Sequence, residues 1–115
     1  MTKAISIVLA DDHVLLRSGL RLLLDREPSF EVVGEASDGE ELLQLLDTVQ
    51  PDIVILDLSM PKIDGIECLK EIISRGHKTK IIVLTMHDDE HYIKEVMRCG
   101  AMGYVQKGSV DTELF

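Results

Sequence analysis

The sequence predicts an α/β domain built on a doubly wound, five-stranded parallel sheet. Short apolar runs alternate with longer segments of helical period along the chain, a pattern typical of parallel strands covered by helices. The run 53–56 (IVIL), between Pro51 and Pro61, is apolar throughout and too short for a helix, as in a strand buried on both faces. A chain of 115 residues is long enough for one domain and too short for two.

Five strands are predicted from apolar runs that end at polar residues. They cover residues 4–10, 31–36, 53–56, 80–85 and 103–107. The second run has charges at both ends and a glycine inside it, which indicates an edge strand. In the sheet order 2-1-3-4-5, the first and third strands are neighbours at the point where the winding reverses.

The segments between the strands have the period of amphipathic helices. Helices are predicted over 14–26, from Asp38 to Val49, from Asp64 to Arg75, and from Asp88 or Asp89 to Cys99. Glutamates three residues after Asp38 and Asp64 indicate capping boxes, and Gly100 indicates a helix end. The leucines and isoleucines of these segments are expected to face the core: Leu16, Leu20, Leu23, Leu24, Leu42, Leu45, Leu46, Ile66, Leu69, Ile72 and Ile73, together with Val49.

A fifth helix begins near Ser109 and has scarcely started at Phe115. A doubly wound sheet needs cover on both faces, so this last helix looks truncated and we expect the natural chain to continue.

Composition excludes several classes of function. The formal charge of −9 argues against direct contact of this domain with nucleic acid or an anionic membrane surface. There is no apolar run of 18 residues and no charged-then-apolar leader, so we expect neither a membrane span nor a secretory signal, and a cytoplasmic location. Cys68 and Cys99 lie in separate helical segments without metal-ligand spacing, and free thiols are expected.

Polar residues follow the predicted strands at the edge of the sheet where each strand ends. Asp11 and Asp12 follow the first strand, Asp57 follows the third, and Thr85 and Lys107 end the fourth and fifth. Three carboxylates would therefore converge in one crevice, and like charges at that distance need compensation. Ligands that are all oxygen favour Mg²⁺, with Mn²⁺ as a substitute.

A metal held by acidic oxygens, with water positions open, suits the binding of phosphoryl groups. Asp57 ends the central strand alone, whereas Asp11 and Asp12 form a pair. Asp57 is therefore the predicted nucleophile that becomes an acyl phosphate. The metal and the Lys107 ammonium would neutralise the transferring group, and the Thr85 hydroxyl could hydrogen-bond to it.

The combination of Asp11-Asp12, the run 57–61 (DLSMP), Thr85 and Lys107 resembles the receiver domain of two-component response regulators. The stretches LADDHVLLRSGLRLLL and VVGEASDGEELL further resemble the NarL/FixJ subfamily, which is usually joined to a LuxR-type helix-turn-helix. The resemblance spans essentially the whole chain. It implies a flavodoxin-like receiver fold over residues 1–115, with the DNA-binding domain absent from this stretch.

The resemblance also implies roles for residues around the phosphorylation site. Asp57 would accept phosphate from a sensor histidine kinase or a small phosphodonor. Asp11, Asp12 and Asp57 would hold Mg²⁺ together with the backbone carbonyl of Ser59.

Signal output is implied by the same resemblance. Lys107 would contact the phosphoryl group, Thr85 would be the switch hydroxyl, and Tyr104 matches the aromatic switch position. Output would travel through the surface formed by helix 4, strand 5 and helix 5, with a homodimer on phosphorylation as one outcome. Gly108 stands where many receivers have proline, so a cis peptide bond is not expected there.

Three other functions compete with this interpretation of the sequence. A degenerate receiver would act as an interaction module without phosphorylation, although its five site positions are intact here. A haloacid-dehalogenase-like phosphatase would need a second aspartate at Ser59. Nucleotide or flavin binding would want a glycine-rich or hydroxyl-rich turn after the first strand, whereas the turn 10–13 (ADDH) is anionic.

The histidines leave open questions. His87 and His91 stand at i and i+4, but Asp88 replaces the glutamate of a zinc protease, so a solvated helix start is expected. His13 follows the acidic pair directly. It either affects chemistry at the mouth of the site or simply faces solvent at the start of the first helix.

Overall fold

The computed structural model describes residues 4–57, 65–76, 78–85 and 90–106. The strands are β1 (Ile5–Ala10), β2 (Phe30–Ala36), β3 (Ile53–Asp57), β4 (Lys80–Thr85) and β5 (Gly103–Gln106). The helices are α1 (Val14–Asp25), α2 (Gly39–Leu46), α3 (Gly65–Ser74) and α4 (Glu90–Arg98). The fifth helix expected from the sequence lies outside these residues.

All five strands pair in parallel in the order β2-β1-β3-β4-β5, which confirms the predicted sheet. The edge position predicted for β2 is also confirmed. Helix α1 packs on one face of the sheet, and α2, α3 and α4 pack on the other. This change of face is expected where the direction of winding reverses, between β1 and β3.

Alternate residues of the central strands point to opposite faces of the sheet. Ile7 and Leu9 of β1 pack with Leu20 and Leu24 of α1 on one face. Val8 and Ala10 point the other way, into a cluster formed with α2, α3 and α4. Both faces of β1 and β3 are therefore buried, as their continuous apolar runs predict.

The helix ends follow the predicted capping chemistry in part. Asp38 is the N-cap of α2, and its Oδ1 accepts a hydrogen bond of 2.9 Å from the Glu41 amide. The Glu41 carboxylate contacts the Ser37 hydroxyl. Gly100 ends α4 in the left-handed region with φ +111°, where glycine has no Cβ to clash. The caps predicted at Asp64, Asp88 and Asp89 lie outside the described residues.

Two details of the predicted core are wrong. The helical period predicts Ile73 on the buried face of α3, yet Ile73 is exposed near the end of that helix, where its Cδ1 lies close to Gly100. Helix α2 ends at Leu46 rather than at Val49, because the amides of Asp47 and Thr48 bond to the carbonyls three residues earlier and tighten the chain into a turn. Val49 still packs against the core from outside the helix.

The two cysteines are free, as predicted. Burial raises the pKa of the Cys68 thiol to about 11, because the apolar surroundings disfavour the thiolate.

Candidate functional site

The site lies where β1 and β3 end side by side. The register pairs Ala10 with Leu56, so the next residues on each strand, Asp11 and Asp57, emerge together at the same edge. Asp57 is itself paired with Leu84 of β4. Its side chain is 0% exposed, and Asp11 is also buried. Asp57 is thus fixed by the central strand itself, and Asp11 directly follows the neighbouring strand.

The turn after β1 is held by backbone and side-chain hydrogen bonds. The Asp11 amide donates to the Ala36 carbonyl of β2 at 3.0 Å. Asp11 Oδ1 accepts from the His13 amide at 2.8 Å, which folds the chain back on the aspartate in the manner of an Asx turn. His13 is the N-cap of α1, although its own side chain caps no amide. The acidic pair therefore does not cap α1, and its side chains remain directed at the site.

One ligand atom from each of Asp11, Asp12, His13 and Asp57 lies within 4.8 Å of the others. His13 Nδ1 is 3.1 Å from Asp11 Oδ1, 3.3 Å from Asp12 Oδ1 and 3.5 Å from Asp57 Oδ2. Asp12 is 31% exposed and His13 56% exposed, so these two side chains form the solvent side of the cluster. The cluster is buried at its base and open at its mouth.

Arg17 of α1 lies close to the cluster but is directed at other partners. Its Nη1 donates to the Asp11 carbonyl at 2.8 Å and approaches the Ala36 carbonyl at 3.4 Å. Its Nε is 3.1 Å from Glu35 Oε1. Arg17 therefore secures the backbone under the site and pairs with a carboxylate of β2.

The donor set fits a hard divalent cation. Asp12 Oδ1 is buried and accepts no hydrogen bond from the described residues, although His13 Nδ1 lies 3.3 Å away. A buried carboxylate oxygen of this kind is costly unless a cation or donor satisfies it. Three converging carboxylates are the oxygen ligands that Mg²⁺ prefers. The cluster is consistent with the predicted phosphoacceptor site and its metal.

The structure describes only some of the other predicted site residues. Thr85 is the last residue of β4, next to Leu84, the partner of Asp57, and its side chain is not among those described. Tyr104 lies in β5 beside Val83 and is 44% exposed. Ser59 and Lys107 lie outside the described residues, as does His87, and the side chain of His91 is likewise not described.

Sequence reasoning missed one residue near the site and left another open. Arg17 is not among the predicted site residues, yet it stands four residues after His13, on the same side of the first turn. For His13 both alternatives hold, because the ring is largely exposed and still lies among the three carboxylates.

Comparison with known proteins identifies the same architecture. The family described as "Response regulator receiver domain" matches residues 7–115. The transcriptional regulatory protein DegU of Brevibacillus brevis is 43% identical over 90% of this chain, but the match covers 44% of DegU. The chain spans about half the length of the curated relatives it matches.

Solved structures agree with these relatives. The signal receiver domain of the response regulator NarL from Mycobacterium tuberculosis superposes with a TM-score of 0.93 at 33% identity, covering 98% of this chain and 91% of that one. A LuxR-family response regulator from Aurantimonas sp. SI85-9A1 superposes with a TM-score of 0.91 at 38% identity, and the match covers 97% of this chain and 80% of that one. Within the described residues, no helix has both the length and the apolar character needed to cross a membrane.

Proposed function

Because the chain belongs to the response-regulator receiver family, we propose that it is the phosphoacceptor domain of a transcriptional regulator, phosphorylated on Asp57 in a Mg²⁺-dependent reaction. The observation that carries this proposal is the buried Asp57 carboxylate at the end of β3, gathered with Asp11 and Asp12 into one cluster. The domain is a signalling element that takes part in its own phosphorylation and dephosphorylation.

The position of Asp57 supports its role as the nucleophile. Asp57 is paired with Leu84 of β4, and the residue before it, Leu56, is paired with Ala10 of β1, so the backbone that carries the carboxylate is fixed in the sheet. Asp11 and Asp12 instead belong to the turn that leads into α1. A carboxylate held rigidly beside a metal is suited to in-line attack on a phosphoryl group, because positioning and electrostatics are the main catalytic terms in this chemistry.

Mg²⁺ would be held by Asp11, Asp12 and Asp57, with the backbone carbonyl of Ser59, and Mn²⁺ could replace it. When bound, the ion would supply positive charge to the phosphoryl oxygens. A structure titled as a CheX–CheY–BeF₃–Mg complex from Borrelia burgdorferi superposes with a TM-score of 0.86 at 27% identity. That protein binds a metal and a phosphoryl mimic, which supports the same ligand class here.

The switch is proposed to involve Lys107, Thr85 and Tyr104. Lys107 would pair with the phosphoryl group, and Thr85 would move toward it. The exposed ring of Tyr104, on the strand next to β4, would then turn inward and change the surface formed by α4 and β5. Such a rearrangement biases a two-state surface by a local change of charge.

The partners are proposed from the relatives. They are a sensor histidine kinase, a LuxR-type DNA-binding domain that follows this receiver domain in the parent protein, and a second copy on phosphorylation. Support comes from the names of the relatives, which include a transcriptional regulatory protein about twice as long as this chain and a LuxR-family regulator. The strongly acidic receiver domain itself would make no contact with DNA.

The proposal is tested by intact-mass measurement after incubation with acetyl phosphate and Mg²⁺. Wild type and Asp52→Asn should each gain one phosphoryl group, which EDTA prevents, and Asp57→Asn should gain none. Asp52 is a matched control because it flanks the other end of β3. An unmodified but folded wild-type domain would favour the degenerate receiver, and an adduct on Asp57→Asn would assign the nucleophile elsewhere.

A further inference from the structure

A cavity of about 830 Å³ lies at the edge of the sheet where β1, β3 and β4 begin. Its walls are the first residues of these strands and the turns that follow α2 and α3. It is at the opposite end of β3 from Asp57, and none of its described lining residues belongs to the acidic cluster. Small-molecule sites usually have volumes of roughly 300–1,000 Å³, so this cavity is large enough to hold a ligand.

Positive side chains gather at this cavity, although the chain as a whole has a formal charge of −9. Arg75, Lys78 and Lys80 all line it. Arg75 is already ion-paired, because its Nε is 2.9 Å from Glu71 Oε1 and its Nη1 is 3.8 Å from Asp47 Oδ1. Lys78 and Lys80 are exposed and have no ion-pair partner within the described ranges. Two ammonium groups can therefore receive an anion from the cavity.

The acidic residue among the described lining residues is Asp52. Its Oδ2 accepts hydrogen bonds from the Ser6 amide at 2.9 Å and from the Ser6 hydroxyl at 3.0 Å. These two donors stabilise the carboxylate and occupy part of its acceptor capacity. Asp52 therefore opposes an anion in the cavity less than a fully hydrated carboxylate would.

Thr79 stands between the two lysines and also lines the cavity. Its Oγ1 is buried and has no hydrogen-bond partner in the part of the chain that the structure describes. Buried hydroxyls without a partner are uncommon, because they lose hydrogen bonds to water and gain nothing in return. Rotation about χ1 redirects the hydroxyl, so an acceptor atom in the cavity could satisfy it. This wall thus has an unsatisfied donor beside two cations.

Much of the remaining wall is apolar. The apolar side chains that line it are Ile5, Leu46, Pro51 and Ile53. The described lining residues include no aromatic ring on which a nucleotide base or a flavin could stack. An aliphatic chain suits such a surface better than an aromatic group does.

We propose that this cavity binds a small aliphatic anion, a carboxylate or a phosphate monoester. Lys78 and Lys80 would hold its charged group, Thr79 would donate a hydrogen bond to it, and the aliphatic chain would lie against the apolar side chains. Lysine acts as a compact point charge, so it accepts either type of anionic group. The site is separate from the proposed phosphorylation site and does not depend on it.

The test is a titration of the isotope-labelled 115-residue chain, followed by the NMR chemical shifts of its backbone amides. The probes are hexanoate and hexyl phosphate, and hexanol is the neutral control. Lys78→Gln/Lys80→Gln removes both charges from the cavity. Lys70→Gln/Lys94→Gln is the matched control, because it removes two exposed lysines from α3 and α4. Circular dichroism checks that each variant is folded.

At least one anionic probe should shift the amides of the cavity wall in a saturable way and bind about tenfold or more tightly than hexanol. The affinity should fall by about tenfold or more in Lys78→Gln/Lys80→Gln, because hydrogen bonds to charged groups are the stronger class. It should change by less than about threefold in the control variant. Thr79→Val keeps the shape of the side chain without its hydroxyl, and should weaken binding by about threefold or more.

Three results would overturn the inference. They are no saturable shifts at the cavity with either anion, hexanol binding as tightly as the anions, and equal losses in the two lysine variants, which would indicate general attraction to positive charge. Asp57→Asn should bind the probes like wild type, because Asp57 lies at the other end of β3. Failure of either proposal therefore leaves the other unaffected.

Discussion

Two aspartates stand at opposite ends of β3 and have opposite surroundings. Asp52 directly precedes the strand and is exposed, and its Oδ2 accepts hydrogen bonds from the Ser6 amide at 2.9 Å and the Ser6 hydroxyl at 3.0 Å. Asp57 ends the strand, is fully buried, and faces two further carboxylates and an imidazole. The same residue type thus joins neighbouring strands at one end of β3 and belongs to an acidic cluster at the other.

The difference shows how neighbours decide what a carboxylate does. At the Asp52 end, the backbone also contributes: the Asp52 amide donates to Ser6 and its carbonyl accepts from the Lys80 amide, so the starts of β1, β3 and β4 are joined. At the Asp57 end, three carboxylates and one imidazole are gathered in a single cluster. The first end joins strands through a neutral hydroxyl and backbone groups, and the second has the oxygen ligands that suit a hard cation.

The largest expected effect is the response of stability to Mg²⁺. A ligand that binds only the folded state adds about 2.7 kcal/mol to the free energy of unfolding at 100 times its Kd. Wild type and Asp52→Asn should gain on this scale in urea unfolding with and without Mg²⁺, and Asp57→Asn should gain far less. A gain that Asp57→Asn retains in full would place the metal elsewhere.

A smaller effect of opposite sign is expected without metal. Asp57→Asn removes one of three converging negative charges, so it should raise the free energy of unfolding in EDTA by about 1–2 kcal/mol. Urea unfolding of wild type and variant at low salt measures this, and added salt should narrow the difference. A variant less stable than wild type would mean that the Asp57 carboxylate makes net favourable contacts in the metal-free protein.

The smallest effect is expected at the other end of the strand. Asp52→Ala removes the acceptor of the Ser6 amide and hydroxyl, and should lower the free energy of unfolding by about 1 kcal/mol, because these groups are exposed and water replaces part of the interaction. A double-mutant cycle that compares Asp52→Ala, Ser6→Ala and the double variant gives the coupling energy between the two side chains. A coupling near zero would show that Asp52 acts only through its backbone.

Much of the fold and part of the site could be predicted because they depend on repeating patterns. Strand ends locate Asp11, Asp12 and Asp57 at one edge whatever the details of packing. The direction of the His13 ring could not be predicted, because it depends on the turn that Asp11 makes with the His13 amide. The spacing of apolar residues does not predict the geometry of such a turn.

The core predictions failed where a helix meets its neighbour near its end. The period of α3 places Ile73 with Leu69 and Ile72 on one stripe, but Ile73 lies near the end of the helix and is exposed, with Cδ1 close to Gly100. Arg17 was missed for a related reason: period separates it from the apolar face but does not reveal that carbonyls of Asp11 and Ala36 lie within its reach. Both outcomes are set by tertiary distance rather than by sequence spacing.

The pairing of β1 with β3 also has a consequence for how the chain folds. Ser6 and Asp52 are 46 residues apart in the sequence, and the pairing must bring such distant segments together around β2 and two helices. Contacts of this kind form slowly, because the conformational entropy of the intervening chain is lost before the contacts contribute any favourable free energy. Attraction between Ser6 and Asp52 favours one end of the pair, whereas charge repulsion opposes the other. We therefore expect the two strands to zip from the Ser6–Asp52 end, so that the acidic pocket closes last.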